Sequence, residues 1–154
     1  MRRLLSWFLL PSCAVAFLAV GAGAAGDGNE VTYLEAAEVA TAFAKGAPLL
    51  EVGAYKVHAS RRDQAGMAEI HDLDTDILYV LEGSATIVTG GTLNDGRRTA
   101  PNEVRGADIT GGETRLLAKG DVMVVPNGTP HWFKEVTPPF LYYVVKVTAE
   151  AGKS

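Results

Sequence analysis

From Pro48 onward the chain never keeps a helical period. Short β-type runs, "LLEVGAYKVHAS", "MAEIH", "ILYVLEG", "SATIVTGG", "TRLLA", "DVMVVP", "HWFKEV" and "FLYYVVKV", follow one another between clusters of Gly, Pro, Asn and Asp. About eight such runs in one small domain predict an all-β fold, a jelly-roll sandwich or barrel. One segment in front departs from this pattern. "VTYLEAAEVATAFAKG" carries a Thr-x-x-Glu capping box at Thr32 and Glu35, apolar residues at helical spacing and Gly46 as a stop, which predicts a single short N-terminal helix over about residues 33–45. No repeat of 20–50 residues is present. The stretch from Asn94 to Gly112, rich in glycine and charge, reads as one long loop.

The first 25 residues are set apart by a different logic. "MRRLLSWFLLPSCAVAFLAVGAGAA" has two arginines, an apolar middle broken by Pro11 and a small-residue exit that suits cleavage after Ala24 or Ala25. That pattern predicts a secretory signal peptide over residues 1–25, and hence an exported chain, periplasmic or secreted, with no stable membrane anchor after cleavage. The parts then read as a helical segment over 26–47, a β domain over 48–148 and a tail over 149–154. Cleavage removes the single cysteine, Cys13, and takes the basic side chains from 14 to 12 against 18 acidic, a net charge of −6. No thiol chemistry or disulfide is left to the mature chain, and an acidic surface repels phosphate backbones, which argues against nucleic acid as a partner. About 129 residues remain, enough to bury one core without staples.

Three histidines remain to carry chemistry. Side chains alternate across a strand, so Glu69 and His71 in "AEIH" face the same side, and Asp76 opens the next strand after a short turn. His131 follows the Pro126-Asn127-Gly128 turn, with Phe133 and Glu135 expected on its own face. If these strand ends converge, two imidazoles and one or two carboxylates share a site. Nitrogen and oxygen donors without thiolate suit a divalent transition metal: iron, manganese, nickel or zinc.

The spacing of these residues resembles the cupin superfamily. Its second motif, Gly, five residues, Pro, one residue, Gly, two residues, His, is met by Gly120, Pro126, Gly128 and His131. Four residues further on the family has Asn where this chain has Glu135. The first motif, His-x-His, four residues, Glu, six residues, Gly, is met by His71 and Gly83, with Asp76 at the Glu position and Glu69 at the first His. The resemblance spans roughly residues 48–148 and implies a small single-domain cupin with a metal at His71, His131, Asp76 and Glu69. Glu135, or Glu69 if it does not ligate, is then the expected acid or base, and Phe133 and Tyr142 are expected to line the pocket.

Other residues receive plainer expectations. His58 is assigned to solvent or a core hydrogen bond; a hairpin turning near Asp63 and Gln64 would set it opposite Glu69, where either of the two could complete the site. Lys146, on the face of Tyr142, reads as a solvated edge charge. Arg97, Arg98 and Arg105 read as loop residues able to meet an anionic ligand. Two functional classes follow: a metal-dependent enzyme on a small molecule, of dioxygenase, isomerase or lyase type, or a module that binds a small ligand without turnover. The apolar strands "ILYVL" and "FLYYVV" further predict a homodimer.

Overall fold

In a computed structural model of the chain, residues 30–150 are described. The expected signal peptide and the end of the tail lie outside these residues. Among the described residues no helix is long and apolar enough to cross a membrane. One helix, α1 (Ala36–Lys45), is followed by eleven strands: β1 (Ala47–Glu51), β2 (Tyr55–Arg62), β3 (Ala68–His71), β4 (Asp74–Thr89), β5 (Thr92–Leu93), β6 (Arg97–Ala100), β7 (Glu103–Gly106), β8 (Ile109–Thr110), β9 (Glu113–Ala118), β10 (Val122–Val125) and β11 (His131–Thr148). The all-β expectation with one short helix holds.

The helix starts later than its sequence suggests. Glu35 itself is the N-cap, in extended backbone and without a side-chain cap bond, so the Thr32–Glu35 box does not form. Val31 and Tyr33 are 99% and 81% exposed, and a first turn with nothing to bury has no tertiary packing to hold it. The other end stops as expected, with Gly46 left-handed at φ 67°. Phe43 then packs edge-on against Tyr143 of β11, with ring centroids 4.9 Å apart.

The barrel is organised by its two long strands. β4 and β11 pair antiparallel along nearly their whole length, so the runs that looked separate in the sequence are continuous. β11 also pairs with β2 and, at His131, with β3, while β4 pairs with β10 through its first half and β9 through its second. The "LLEVGAYKVHAS" run is the opposite case: it folds back as the β1–β2 hairpin. β2 does not pair with β3, so the expected hairpin between His58 and Glu69 is absent; β11 lies beside β2 instead. The supposed loop from Asn94 to Gly112 holds a β6–β7 hairpin whose inner strand pairs with β3. Arg98 Nη1 on Asp72 at 2.6 Å ties that hairpin to the strand carrying His71.

One end of the barrel is an apolar core. Phe133, Phe140 and Tyr142 cluster with centroids 5.0–5.6 Å apart, and Phe140, Ile87 and Val80 are fully buried. Each such side chain contributes about 1.5–3 kcal/mol relative to exposure. Where the long strands bend, Gly83 at φ 74° comes so close that a Cβ would stand 2.5 Å from the Pro139 carbonyl oxygen. Glycine is required there by both conformation and space.

Candidate metal centre

At the other end of the barrel the register lines up charged groups. β7, β3 and β11 run side by side with Arg105 opposite Glu69 and Glu69 opposite His131. Two residues along β3, on the same face, stands His71, opposite Glu103. From the other side, β2, β11 and β4 set Lys56 opposite Lys146 and Lys146 opposite Asp76. These two rows meet at a cavity of about 260 Å³. Its mouth and walls include Arg62, Phe133 and Tyr142. A larger, open depression of about 450 Å³ lies over β9 and β10, but it is lined by neither histidine nor buried carboxylate; the chemistry is in the smaller one.

The turn before β11 aims His131. Gly128, left-handed at φ 74°, donates its N–H to the carbonyl of His71 at 2.7 Å, tying one histidine's backbone to the other's approach. His131 Nδ1 then donates to the Thr129 carbonyl at 3.1 Å, which fixes the ring and turns Nε2 inward, 3.4 Å from Glu69 and 3.9 Å from Asp76. The two imidazole rings lie 5.2 Å apart. Glu69, His71 and His131 each offer one ligand atom, all within 4.8 Å of one another, and all three residues are buried. One oxygen and two nitrogens grouped this closely could hold a divalent ion, and the donor chemistry fits such a metal.

The charges of these groups are tuned to that role. Burial alone pushes the Glu69 carboxyl upward, but the hydrogen bond and charge of His131, with Arg62 and His71, outweigh it and bring its pKa to about 2. Glu69 is therefore a carboxylate at any physiological pH. Burial, joined by the charge of Lys146, lowers His71 against the opposing pull of Asp76 and Glu69, a shift toward the neutral imidazole that a metal requires.

Several expectations change here. Glu135 does not face the cavity: a bulge between Phe133 and Glu135 inserts Lys134 as an extra residue and reverses the alternation. Glu135 is exposed and accepts a bond from Thr86 at 3.3 Å, while Val136 takes the inward position against the core. Lys146 is no solvated edge charge. Its ammonium donates to both Asp76 oxygens at 2.7 Å and to His71 Nε2 at 2.9 Å, with its side chain only 15% exposed. Asp76 lies beside both histidines, yet its carboxylate is held by Lys146, and it falls outside the group of three. Arg105 is a cavity residue and not a loop charge, bound bidentately by Glu103 and 3.4 Å from Glu69. His58 lines the cavity half-buried and bonds Glu51 at 2.9 Å.

Phe133 and Tyr142 line the cavity. Arg62, which the sequence reading did not single out, lies across Phe133 at 4.4 Å from the ring centroid and donates Nε to the Tyr142 hydroxyl at 3.0 Å. Strand parity was the available signal: Arg62 follows His58 and Ser60 at intervals of two in "YKVHASRR". The same parity places Lys146 with Tyr142 and Val144.

A curled antiparallel barrel with a buried oxygen-and-nitrogen triad at one end defines a class of small β-barrel proteins able to hold a metal. A family model described as Cupin matches residues 23–154, and the chain belongs to the cupin family. No curated protein matches it. Among solved structures, a Bacillus halodurans protein superposes with a TM-score of 0.54 at 16% identity, covering 83% of this chain and 89% of its own. KdgF from a Halomonas species aligns at 18% identity and a TM-score of 0.48, over 67% of this chain and 78% of that one. A conserved double-stranded β-helix protein of Klebsiella pneumoniae aligns at 18% and 0.49, over 70% and 78%. The Bacillus protein supports the shared fold.

Proposed function

We propose that this chain is a cupin enzyme that binds a divalent transition metal through Glu69, His71 and His131 and acts on a small molecule in the barrel. The observation that carries this reading is the convergence of those three buried donors, of which Glu69 and His71 line the cavity. When bound, the metal would supply Lewis acidity toward an oxygen of the substrate. The chain's own residues do the rest. Glu69, with its pKa of about 2, suits a permanent ligand and not a proton donor. Phe133 and Tyr142 shape an apolar floor, and Arg62 and Arg105 face the ligand from the mouth. The cavity's three cations, Arg62, Arg105 and Lys146, balance its three anions, Glu69, Asp76 and Glu103, so a bound divalent ion makes it net positive and suited to an anionic group. A volume of about 260 Å³ admits a ligand on the order of ten heavy atoms.

Elemental analysis of the purified mature protein tests the reading. Stoichiometric iron, manganese, nickel or zinc is expected; a folded protein that takes up none of them overturns it. One observation favours the second reading, a binding module without turnover: Lys146 already satisfies both His71 and Asp76. Two further proposals accompany the first. Residues 1–25 direct export and are removed, so the mature protein should begin near Ala25 or Gly26 by amino-terminal sequencing, and an intact Met1 in a membrane fraction overturns it. A second copy covers the outer face of β4 and β10, where Tyr79 and Val122 are cross-strand partners, as are Ile77 and Val124, all four exposed. Among the described residues β10 pairs only with β4, leaving an edge for a homodimer to protect. Light scattering should give twice the chain mass at micromolar concentration, and a monomer refutes the pairing.

A further inference from the structure

We infer that Lys146 is a tethered cation that competes with the metal for the centre: ammonium and divalent ion use the same lone pair of His71 and the same charge of Asp76, so one must leave for the other to bind. The inference rests on the metal reading above and adds to it a residue that sets metal affinity.

The position follows from register. Lys146 and Asp76 are cross-strand partners on β11 and β4, so their side chains share the inner face. Directly opposed charges at the rim of a barrel usually reach into solvent, but here both are held inside, with side chains 15% and 7% exposed. An ammonium has three protons to donate. Those of Lys146 have three acceptors within reach: Asp76 Oδ1 and Oδ2, each at 2.7 Å, and His71 Nε2 at 2.9 Å. The group is saturated, as a bound ion is.

His71 cannot serve both cations at once. Its Nε2 has one lone pair, and a nitrogen that accepts a hydrogen bond from Lys146 has none left for coordination. The other ring nitrogen, Nδ1, is turned toward Glu103, 3.9 Å away. His131 Nε2 points at Glu69 and at Asp76, the carboxylate that the ammonium holds. Asp76, beside both imidazoles, is held by the same ammonium and stands outside the group of three donors. With Lys146 in place, Asp76 already lies 3.6 Å from His71 Nε2 and 3.9 Å from His131 Nε2, so departure of the ammonium frees a carboxylate beside both imidazoles.

The neighbouring Lys56 provides an internal control. It is the cross-strand partner of Lys146 on the other side, and it bonds Asp74 at 2.8 Å without touching either histidine. Loss of positive charge would tighten metal binding for either lysine, less so for the more exposed Lys56 outside the cavity, so Lys56→Met measures the repulsive part. Competition for a lone pair belongs to Lys146 alone.

The test is calorimetric titration of the metal-free full-length mature protein with zinc, for wild type, Lys146→Met and Lys56→Met. Because the bound ammonium lowers the fraction of protein competent for metal, Lys146→Met should bind zinc about tenfold tighter or more, and Lys56→Met within about threefold of wild type. Equal or weaker binding by Lys146→Met overturns the inference while leaving the metal centre intact; equal tightening by both lysine variants also overturns it, in favour of plain charge repulsion. Zinc binding by no variant defeats the metal reading itself and the inference with it. Lys146→Gln repeats the measurement if circular dichroism shows the methionine variant unfolded. A second readout needs no substitution: amine labelling of wild type, read by mass spectrometry, should show Lys146 becoming more reactive when zinc is added, and unchanged protection speaks against displacement.

Discussion

The two ends of this barrel are built from the same strands and do opposite things. Toward the bend of β4 and β11, Phe133, Phe140 and Tyr142 face Val80 and Ile87 in an apolar core. A few residues along the same strands, the inner positions change to Asp76 and His131, which are buried as well, and Lys146, whose side chain is 15% exposed. Burying apolar side chains stabilises a fold directly, whereas burying charged ones costs solvation that only close partners offset. Every buried side-chain nitrogen or oxygen among the described residues has a partner. The polar end is thus tolerated because its members satisfy one another, and the apolar end supplies the stability that lets them remain there. One half of the barrel should fail by unfolding and the other by losing its ligand.

Phe140→Ala breaks the comparison most strongly. It removes a fully buried ring and should destabilise the protein by about 3–5 kcal/mol in urea unfolding, the usual cost of an aromatic cavity. A loss below 1 kcal/mol would mean that the apolar end does not carry the fold.

At the polar end, His71→Ala and His131→Ala should each abolish most metal uptake while far-ultraviolet circular dichroism remains that of a folded β protein. Glu69→Gln should weaken uptake more than Asp76→Asn, since Glu69 belongs to the group of three and Asp76 is held by Lys146. Elemental analysis beside circular dichroism separates the outcomes: unfolding of the histidine variants would make them part of the core, and full metal retention by both would dissolve the shared centre.

Acid should distinguish the two ends next. The folded pKa of His71 is lowered from 6.5, so the stability it contributes is present above that pH and is lost as pH falls below it. Glu69 is lowered from 4.5 to about 2, so its contribution, on the order of 3 kcal/mol, is present above pH 4.5 and is lost as pH falls toward 2. Urea unfolding of the metal-free protein should therefore weaken in two stages on acidification, and Glu69→Gln should erase the lower one. A flat profile from pH 7 down to about 2 would show that the polar cluster is not coupled to folding.

The smallest effect sharpens the boundary between the ends. Glu135→Gln should change neither metal content nor stability beyond about 0.5 kcal/mol, because the bulge at Lys134 leaves that carboxylate in solvent. A measurable loss of metal would return Glu135 to the cavity.

Much of this protein was legible in the chain because local patterns are local physics. Alternation and turn residues announce strands, Gly46 ends the helix as expected, and the spacing from Gly120 to His131 specifies a turn that only a residue free to adopt φ 74° completes easily. Glu69 and His71 share a face because strand parity requires it. What the sequence could not contain was distance across strands. A single bulge turned Glu135 outward and Val136 inward, a slip invisible to parity counted along one strand. Whether Lys146 met water or Asp76 depended on how β11 registers with β4, a partner 70 residues away. The pairing of β2 with β11 in place of β3 likewise brought Arg62 over Phe133 and left His58 with Glu51. Donor types are written in the sequence; which donor holds which cation is decided by long-range register, because hydrogen bonds and charges act over a few ångströms in space, whatever their separation along the chain.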